Sequence, residues 1–579
     1  MQNEWNLPVR FCGGLEREPG FTILLPNRQL LNDAGEPSIL SLVTHGFVAR
    51  YPVGFLKHGG RLYVDNNFFP EYTTPEAFDE TALVCYDYAT TRWIQAMLAR
   101  PSLYLDLCFE NKRLMESNLG THDAIERAAR IRELEAAAQT LAIDDAIGLV
   151  VLNSCDSAQN VWGMQENYLI PHHQPCLTEQ ADPFYNLLAS LIAARQAISE
   201  SGGILLTGDG VWRLVCSQRA EFYTKVFLSD AGLKQSKPMI RIRGCEEKQL
   251  AYTLADEDHF TRIQVLSSNN SLPSSVWFKI MFLSLALPAV VEHFDKFKTL
   301  CLRDPLESAR KISRHVLETD PVLELQDGTI TLSAYLRSYQ DLIADYYATK
   351  GSRHLKGPHG AVLPAMMEKL FEVISCFCER KFEALVGEVD YLTLHHYLKQ
   401  YRKPGKHLQD LRGREFFYHV VHPEFSGSSK FARESLSTIL NTAIDESHIE
   451  TLMETPYPDS RAYERGMIIK KFLPPKNAPQ QSLKIDWTHF SYRDGSEHYE
   501  IVRRNPWEGS KQEVGPLMEK AESFAEYCRL LETQDHGARA TREGQGLLAN
   551  DSVLRPGSLQ RQSDLPVVRD LAHALLPSC

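Results

Sequence analysis

The chain has 579 residues, a formal net charge of -12 and a charged fraction of 23%. That length exceeds one simple core and implies a large domain with a smaller companion. The acidic balance speaks against nucleic acid as a partner, since a duplex must be met by a cationic face.

In chain order, Val9–Leu15 reads as a strand that leads into Glu16 and Glu18. Residues 37–49 read as a helix, and Arg61–Val64 as a strand ending at Asp65. Residues 122–142 carry a helical stripe of Ile125, Ala128, Ile131 and Leu134. Ala146–Leu152 has strand length, Phe184–Ser199 is helical, and Gly203–Thr207 is a short strand before the turn Gly208-Asp209-Gly210. Met239–Ile242 and Arg262–Leu266 read as further strands. The most apolar stretch, Val276–Val291, is shorter than the ~20 residues of a membrane span. It also contains Lys279 and Pro288, so a buried helix and no membrane partner are expected. Residues 306–400 read as mostly helical. Pro474, Pro475 and Pro479 mark a linker to a small α/β segment, 482–531, and the polar stretch 533–579 is expected to be disordered. The start of the chain shows no apolar signal-peptide core. The 12 cysteines are scattered, which suits a reducing cytoplasm, and the close pair Cys376 and Cys378 reads as core.

Several short motifs carry chemical meaning. In Gly14-Leu15-Glu16-Arg17-Glu18, residues i and i+2 of a strand share a face, so two carboxylates stand side by side. A hard cation such as magnesium would relieve their repulsion, although Glu-x-Glu also occurs on solvated faces. Arg61-Leu-Tyr-Val-Asp65 places a carboxylate at a strand end, where a general base is well fixed, and Glu71 follows. Asn153-Ser-Cys-Asp156-Ser leads through a polar segment to Gly163-Met-Gln-Glu166-Asn167-Tyr168. Cys216-Ser-Gln-Arg219-Ala and Lys237-Pro-Met-Ile-Arg241-Ile-Arg243, with Arg262 and Lys279 beyond, offer guanidinium and ammonium groups suited to phosphate oxygens or to surface ion pairs.

Taken in order, these motifs resemble the Pup ligase and Pup depupylase/deamidase family over residues 9–510. Ile485-Asp486-Trp487-Thr-His489 and Asn505-Pro506-Trp507 are similar to that family's small C-terminal domain. The resemblance implies an α+β fold, a glutamine synthetase-like antiparallel sheet cradle packed with helices over residues 1–475, with 101–145 as an insertion. It implies that ATP and Mg2+ are bound in the cradle. Glu16, Glu18, Glu71 and Glu166 would hold metal, and Asp65 would be the catalytic aspartate. Arg219, Arg262, Lys279 and Trp487 would contact nucleotide. The implied reaction phosphorylates a carboxylate of a Pup-like small protein or peptide and joins it to an amine-bearing acceptor, a protein lysine or a small amine. Amide or isopeptide hydrolysis by the same site is the alternative, and a silent interaction protein on this fold is a second one. The gap from Glu18 to Asp65 leaves no room for the depupylase loop and favours the ligase, whereas Thr73-Thr74-Pro75-Glu76 resembles the depupylase form. The chain also departs from the family. Gln165 stands where a histidine is usual, Ile242–Glu246 replaces a run that ends in histidine, and Ser267-Ser268-Asn269-Asn270 replaces Gly-Asp-Ser-Asn.

Overall fold

The computed structural model describes residues 7–31, 38–51, 53–64, 70–106, 108, 122–153, 162–171, 182–228, 237–243, 260–440, 446–474, 481–495, 497–503 and 505–533. The chain divides into two compact units whose segments alternate along the sequence. The first comprises Met1–Gly20, Glu76–Trp93 and Val150–Thr451, and the second Phe21–Pro75, Ile94–Leu149 and Leu452–Cys579. The segment 482–531 therefore belongs to a unit that also holds two earlier stretches of chain.

The first unit is built on strands β1 (Gly13–Arg17), β2 (Gly163–Pro171), β3 (Lys225–Leu228), β4 (Pro238–Arg243) and β5 (Phe260–Ser268). They lie side by side in the order β1-β2-β5-β4-β3. All neighbours are antiparallel except β3 and β4, which run parallel. On β1 the pleat separates half-buried Gly14 and Glu16, followed by Glu18, from buried Leu15 and Arg17. Arg17 fixes that phase. Its Nε donates to Asp87 at 2.7 Å and its Nη1 to the Asn270 carbonyl at 2.8 Å, both buried beneath the strand.

Two helices belong to this unit's core. The first, α1 (Pro183–Ser199), starts with proline at its first turn, and the Asp182 side chain caps it by accepting from the Phe184 amide. The second, α2 (Pro273–Phe297), has 25 residues and exceeds the expected stretch at both ends. By length and composition alone it would pass for a membrane span, yet every residue from Pro273 to Val291 is buried in the fold. Trp277, Phe278, Phe282 and Leu283 lie on it, each contributing roughly 1.5–3 kcal/mol on burial. The Phe282 ring stacks on Tyr339 with centroids 3.8 Å apart, and the Tyr339 hydroxyl donates to the Phe282 carbonyl. Helices follow at Pro305–His315, Leu332–Thr349, Gly357–Cys378 and Asp390–Lys399. A hairpin of Val322–Leu325 and Gly328–Thr331 interrupts them, turning at Gln326-Asp327, with Gly328 just after the turn at φ 111°. The Asp-Gly pair was the available signal for that hairpin.

Glu415 is buried in this unit, where its carboxyl accepts from Gln218 Nε2 at 2.8 Å and from the Ile204 backbone. Burial pushes its carboxyl up to about 8. The folded state thus keeps a proton that the unfolded chain releases near pH ~4.3. Stability should fall as pH rises between these values, by about 1.4 kcal/mol per pH unit. Glu415→Gln should flatten that slope, read as urea midpoints from pH 5 to pH 8. An unchanged slope would contradict the protonated state.

In the second unit, the helix Ile39–Val48 opens with a reciprocal Ser38–Ser41 cap. Arg61–Val64 and Pro70–Thr73 pair antiparallel, with Tyr63 opposite Glu71. Helix His122–Thr140 begins where expected and ends two residues before the predicted limit at 142. Gln481–Ile485, His489–Asp494 and Glu497–Val502 form a three-stranded antiparallel sheet. Phe490, Ile501, Leu517, Phe524 and Leu531 share a core with the helix Ala462–Phe472. Inside it, Arg503 pairs with buried Glu464. The linker residues 475–480 and the stretch beyond Thr533 lie outside the described residues, as does Asp65.

Candidate functional site

Strand register sorts the candidate residues onto two faces. Directly opposed residues share a face, and Glu16 opposes Gln165, Gln165 opposes Leu266, and Asn167 opposes Gln264. Gln264 in turn opposes Arg241, and Arg262 lies two residues before Gln264 on the same face. Glu18 continues this row, because its amide donates to the Gly163 carbonyl at 3.1 Å. Gly163 has the parity of Gln165 and Asn167. A Cβ there would come within 2.6 Å of Arg219 Nη1, so the Arg219 guanidinium occupies this same face and requires glycine at 163. One face therefore gathers Glu16, Glu18, Arg219 and Arg262 from the predicted site.

Two carboxamides orient the acidic pair. Gln165 Nε2 donates to Glu18 at 2.5 Å, and Gln264 Nε2 donates to Glu16 at 3.1 Å. Neither glutamine was foreseen as a site residue. Gln165 was visible only as a departure from a familiar motif, and Gln264 only through strand alternation from Arg262.

Glu166 is on the other face, and the structure corrects its assignment as a metal ligand. It opposes Leu15 and Val265 on the buried side of the sheet. Its carboxylate accepts from Arg195 at 2.6 and 2.7 Å, from the Tyr168 hydroxyl at 2.6 Å and from Ser267 at 2.8 Å. Burial opposes its charge, but the Arg195 guanidinium outweighs burial and holds the carboxyl below its usual range. Four donors occupy its oxygens, so the carboxylate has no room for a cation shared with Glu16 and Glu18 across the sheet. Lys279 is corrected for the same reason. It is fully buried, sits 3.1 Å from Glu200 and donates to the Ser268 carbonyl at 2.9 Å. Burial lowers its pKa, with Glu200 and Glu166 opposing. Arg195 also donates to the Lys279 carbonyl at 2.7 Å, which joins Glu166, Arg195, Lys279 and Glu200 in one buried network. An arginine within the apolar run Leu187–Ile198 was the sequence signal for that network.

In the second unit, Glu71 is 7% exposed and accepts from the Tyr63 hydroxyl at 2.9 Å. The Trp487 ring meets Phe55 edge-on at 5.1 Å and lies 4.7 Å from the Arg465 guanidinium, whose Nη1 donates to the Trp487 carbonyl. Asn153 is buried and donates to the Gly202 carbonyl, while the polar motif after it, 154–161, lies outside the described residues. Among the described residues, no three His, Cys, Asp or Glu side chains converge as a metal-ligand set. The oxygens of Glu16 and Glu18, with neighbouring amide oxygens, are nonetheless the donor type that magnesium takes.

The chain matches the family model described as Pup-ligase protein over residues 33–491. It is 25% identical over 510 residues to a Pup–protein ligase of Bifidobacterium longum (strain NCC 2705), covering 86% of this chain and 92% of that one. A Pup–protein ligase of Acidimicrobium ferrooxidans is 25% identical over 483 residues, covering 80% of this chain and 89% of its own. The fold is similar to the ligase PafA in its complex with the prokaryotic ubiquitin-like protein Pup, with a TM-score of 0.63 at 19% identity, over 88% of this chain and 92% of that one. It is also similar to PafA in complex with ADP, with a TM-score of 0.58 at 19% identity, over 82% and 91%. With a family model matched over most of its length, and with an α+β fold shared with solved ligases of that kind, the chain belongs to the Pup-ligase protein family.

Proposed function

We propose that this protein is an ATP- and magnesium-dependent ligase that joins a glutamate carboxylate of a Pup-like small protein to an amine, such as a lysine side chain of a target protein. The observation that carries the reading is the pair Glu16 and Glu18 on one sheet face with Arg219 and Arg262, in a chain of this family. A carboxylate is a poor electrophile. Transfer of the γ-phosphoryl group forms a carboxyl O–P bond as the β,γ-bridging bond breaks and ADP leaves. The amine nitrogen then attacks the acyl carbon, a C–N bond forms, and phosphate departs.

Magnesium, when bound, supplies charge neutralisation for the transferring group. Glu16 and Glu18 would hold it, with Glu71 as a further family position. Arg219 and Arg262 suit phosphate oxygens because a guanidinium binds them bidentately. Asp65, by family position, takes the proton that the attacking amine loses. Trp487 stands as a nucleotide contact by family position only. A reducing cytoplasm fits the free cysteines among the described residues.

Asp65→Asn tests the reading. With ATP, magnesium, a glutamate-terminated Pup-like protein and a lysine acceptor, conjugate should appear with the unaltered chain and fall by about 10²–10⁴-fold in the variant. Equal conjugation by both would contradict the role. Release of the small protein from a conjugate without net ATP use would instead select the hydrolytic alternative.

A further inference from the structure

We infer that Gln165 is itself a cation ligand, supplying a neutral amide oxygen beside Glu16 and Glu18. This rests on the proposed function, in which those carboxylates hold the divalent cation. Gln165 is 7% exposed, and its Oε1 is buried with no hydrogen-bond donor among the described residues. Its Nε2 is committed to Glu18, and its backbone stands directly opposite Glu16. A second amide shows the same imbalance. Asn269 is fully buried, donates to the Glu18 carbonyl at 3.3 Å, and leaves its Oδ1 without a donor.

Buried acceptors are normally satisfied, and an acceptor left without a donor is costly. Two donor-less amide oxygens on the side chains that hold Glu18 make the surroundings of that residue rich in acceptors. A hard divalent cation satisfies such oxygens, since carboxylate and amide oxygens are the ligands that magnesium and manganese take. A histidine at this position would supply an imidazole nitrogen, which suits softer metals and is lost on protonation. A glutamine makes the set all-oxygen, and its binding step is independent of imidazole titration. The all-oxygen donor set thus favours Mg2+ and Mn2+ over Zn2+.

Mn2+ is the probe, read by pulsed electron paramagnetic resonance on the full-length protein. Gln165→His should introduce imidazole ¹⁴N modulation on bound Mn2+ that the unaltered chain lacks, and should shift preference toward Zn2+. Gln165→Glu, nearly isosteric, should tighten Mn2+ by tenfold or more, and Gln165→Leu should weaken it by tenfold or more. Bound Mn2+ without new nitrogen modulation in Gln165→His, or unchanged affinity in both other variants, would overturn the inference. The two readings fail differently. If Glu16→Gln and Glu18→Gln also leave Mn2+ affinity unchanged, the cation site of the proposed function fails. If those two variants weaken it and the Gln165 variants do not, only the role of Gln165 fails.

Discussion

Arg195→Ala should destabilise the folded chain by about 3–5 kcal/mol, the cost of leaving one member of a buried ion pair without its partner. The Glu166 carboxylate would keep only the hydroxyls of Tyr168 and Ser267, and the Lys279 carbonyl would lose its side-chain donor. Urea unfolding should show the loss as a lower midpoint. Removing both charges together, as Arg195→Met with Glu166→Leu, should recover much of it, because desolvating the pair offsets most of its attraction. Glu166→Gln should likewise cost stability while leaving Mn2+ affinity unchanged. A metal-ligand role for Glu166 requires the reverse, with little effect on stability and a large loss of metal.

The second large effect is expected at the acidic pair. Glu16→Gln and Glu18→Gln keep size and hydrogen-bonding capacity but remove the charge that the proposed function assigns to holding magnesium at the transferring phosphoryl group. Each should lower magnesium-dependent ATP turnover by about 10²–10³-fold, equivalent to about 2.7–4 kcal/mol of transition-state stabilisation. Both residues are half-buried, and their stability change should stay within about 0.5 kcal/mol. Turnover near that of the unaltered chain in either variant would remove the acidic pair from the chemistry. The contrast between the two experiments separates the faces of one sheet: charge on the buried face is expected to act on stability, and charge on the other face, by the proposed function, on catalysis.

Strand periodicity made Glu16 and Glu18 legible, because alternation on β1 depends only on residues two apart. The same rule, applied across β2, would have warned that Gln165 and Glu166 cannot serve one site, yet the register that joins β1 to β2 pairs residues about 150 positions apart. Family position was read for Glu166 without that parity. Lys279 failed for a related reason. A lysine in an apolar helix reads either as a phosphate contact or as half of a buried pair, and only the packing of α1 against α2 brings Glu200 to it. The length of α2 was also underestimated, since the apolar run marks only Val276–Val291, whereas the helix also takes in Pro273–Ser275 and the more polar turn Glu292–Phe297. Arg219 was legible as a phosphate-type residue, but its placement needed Gly163, whose missing side chain makes the space. Asp65 lies outside the described residues, and its role stands on the resemblance.

The most direct test is anomalous diffraction from crystals grown with Mn2+ and ADP. The account places a manganese peak against the carboxylates of Glu16 and Glu18, on the face that carries Gln165 and Gln264. A peak on the opposite face, ligated by Glu166 in place of Arg195, would contradict it.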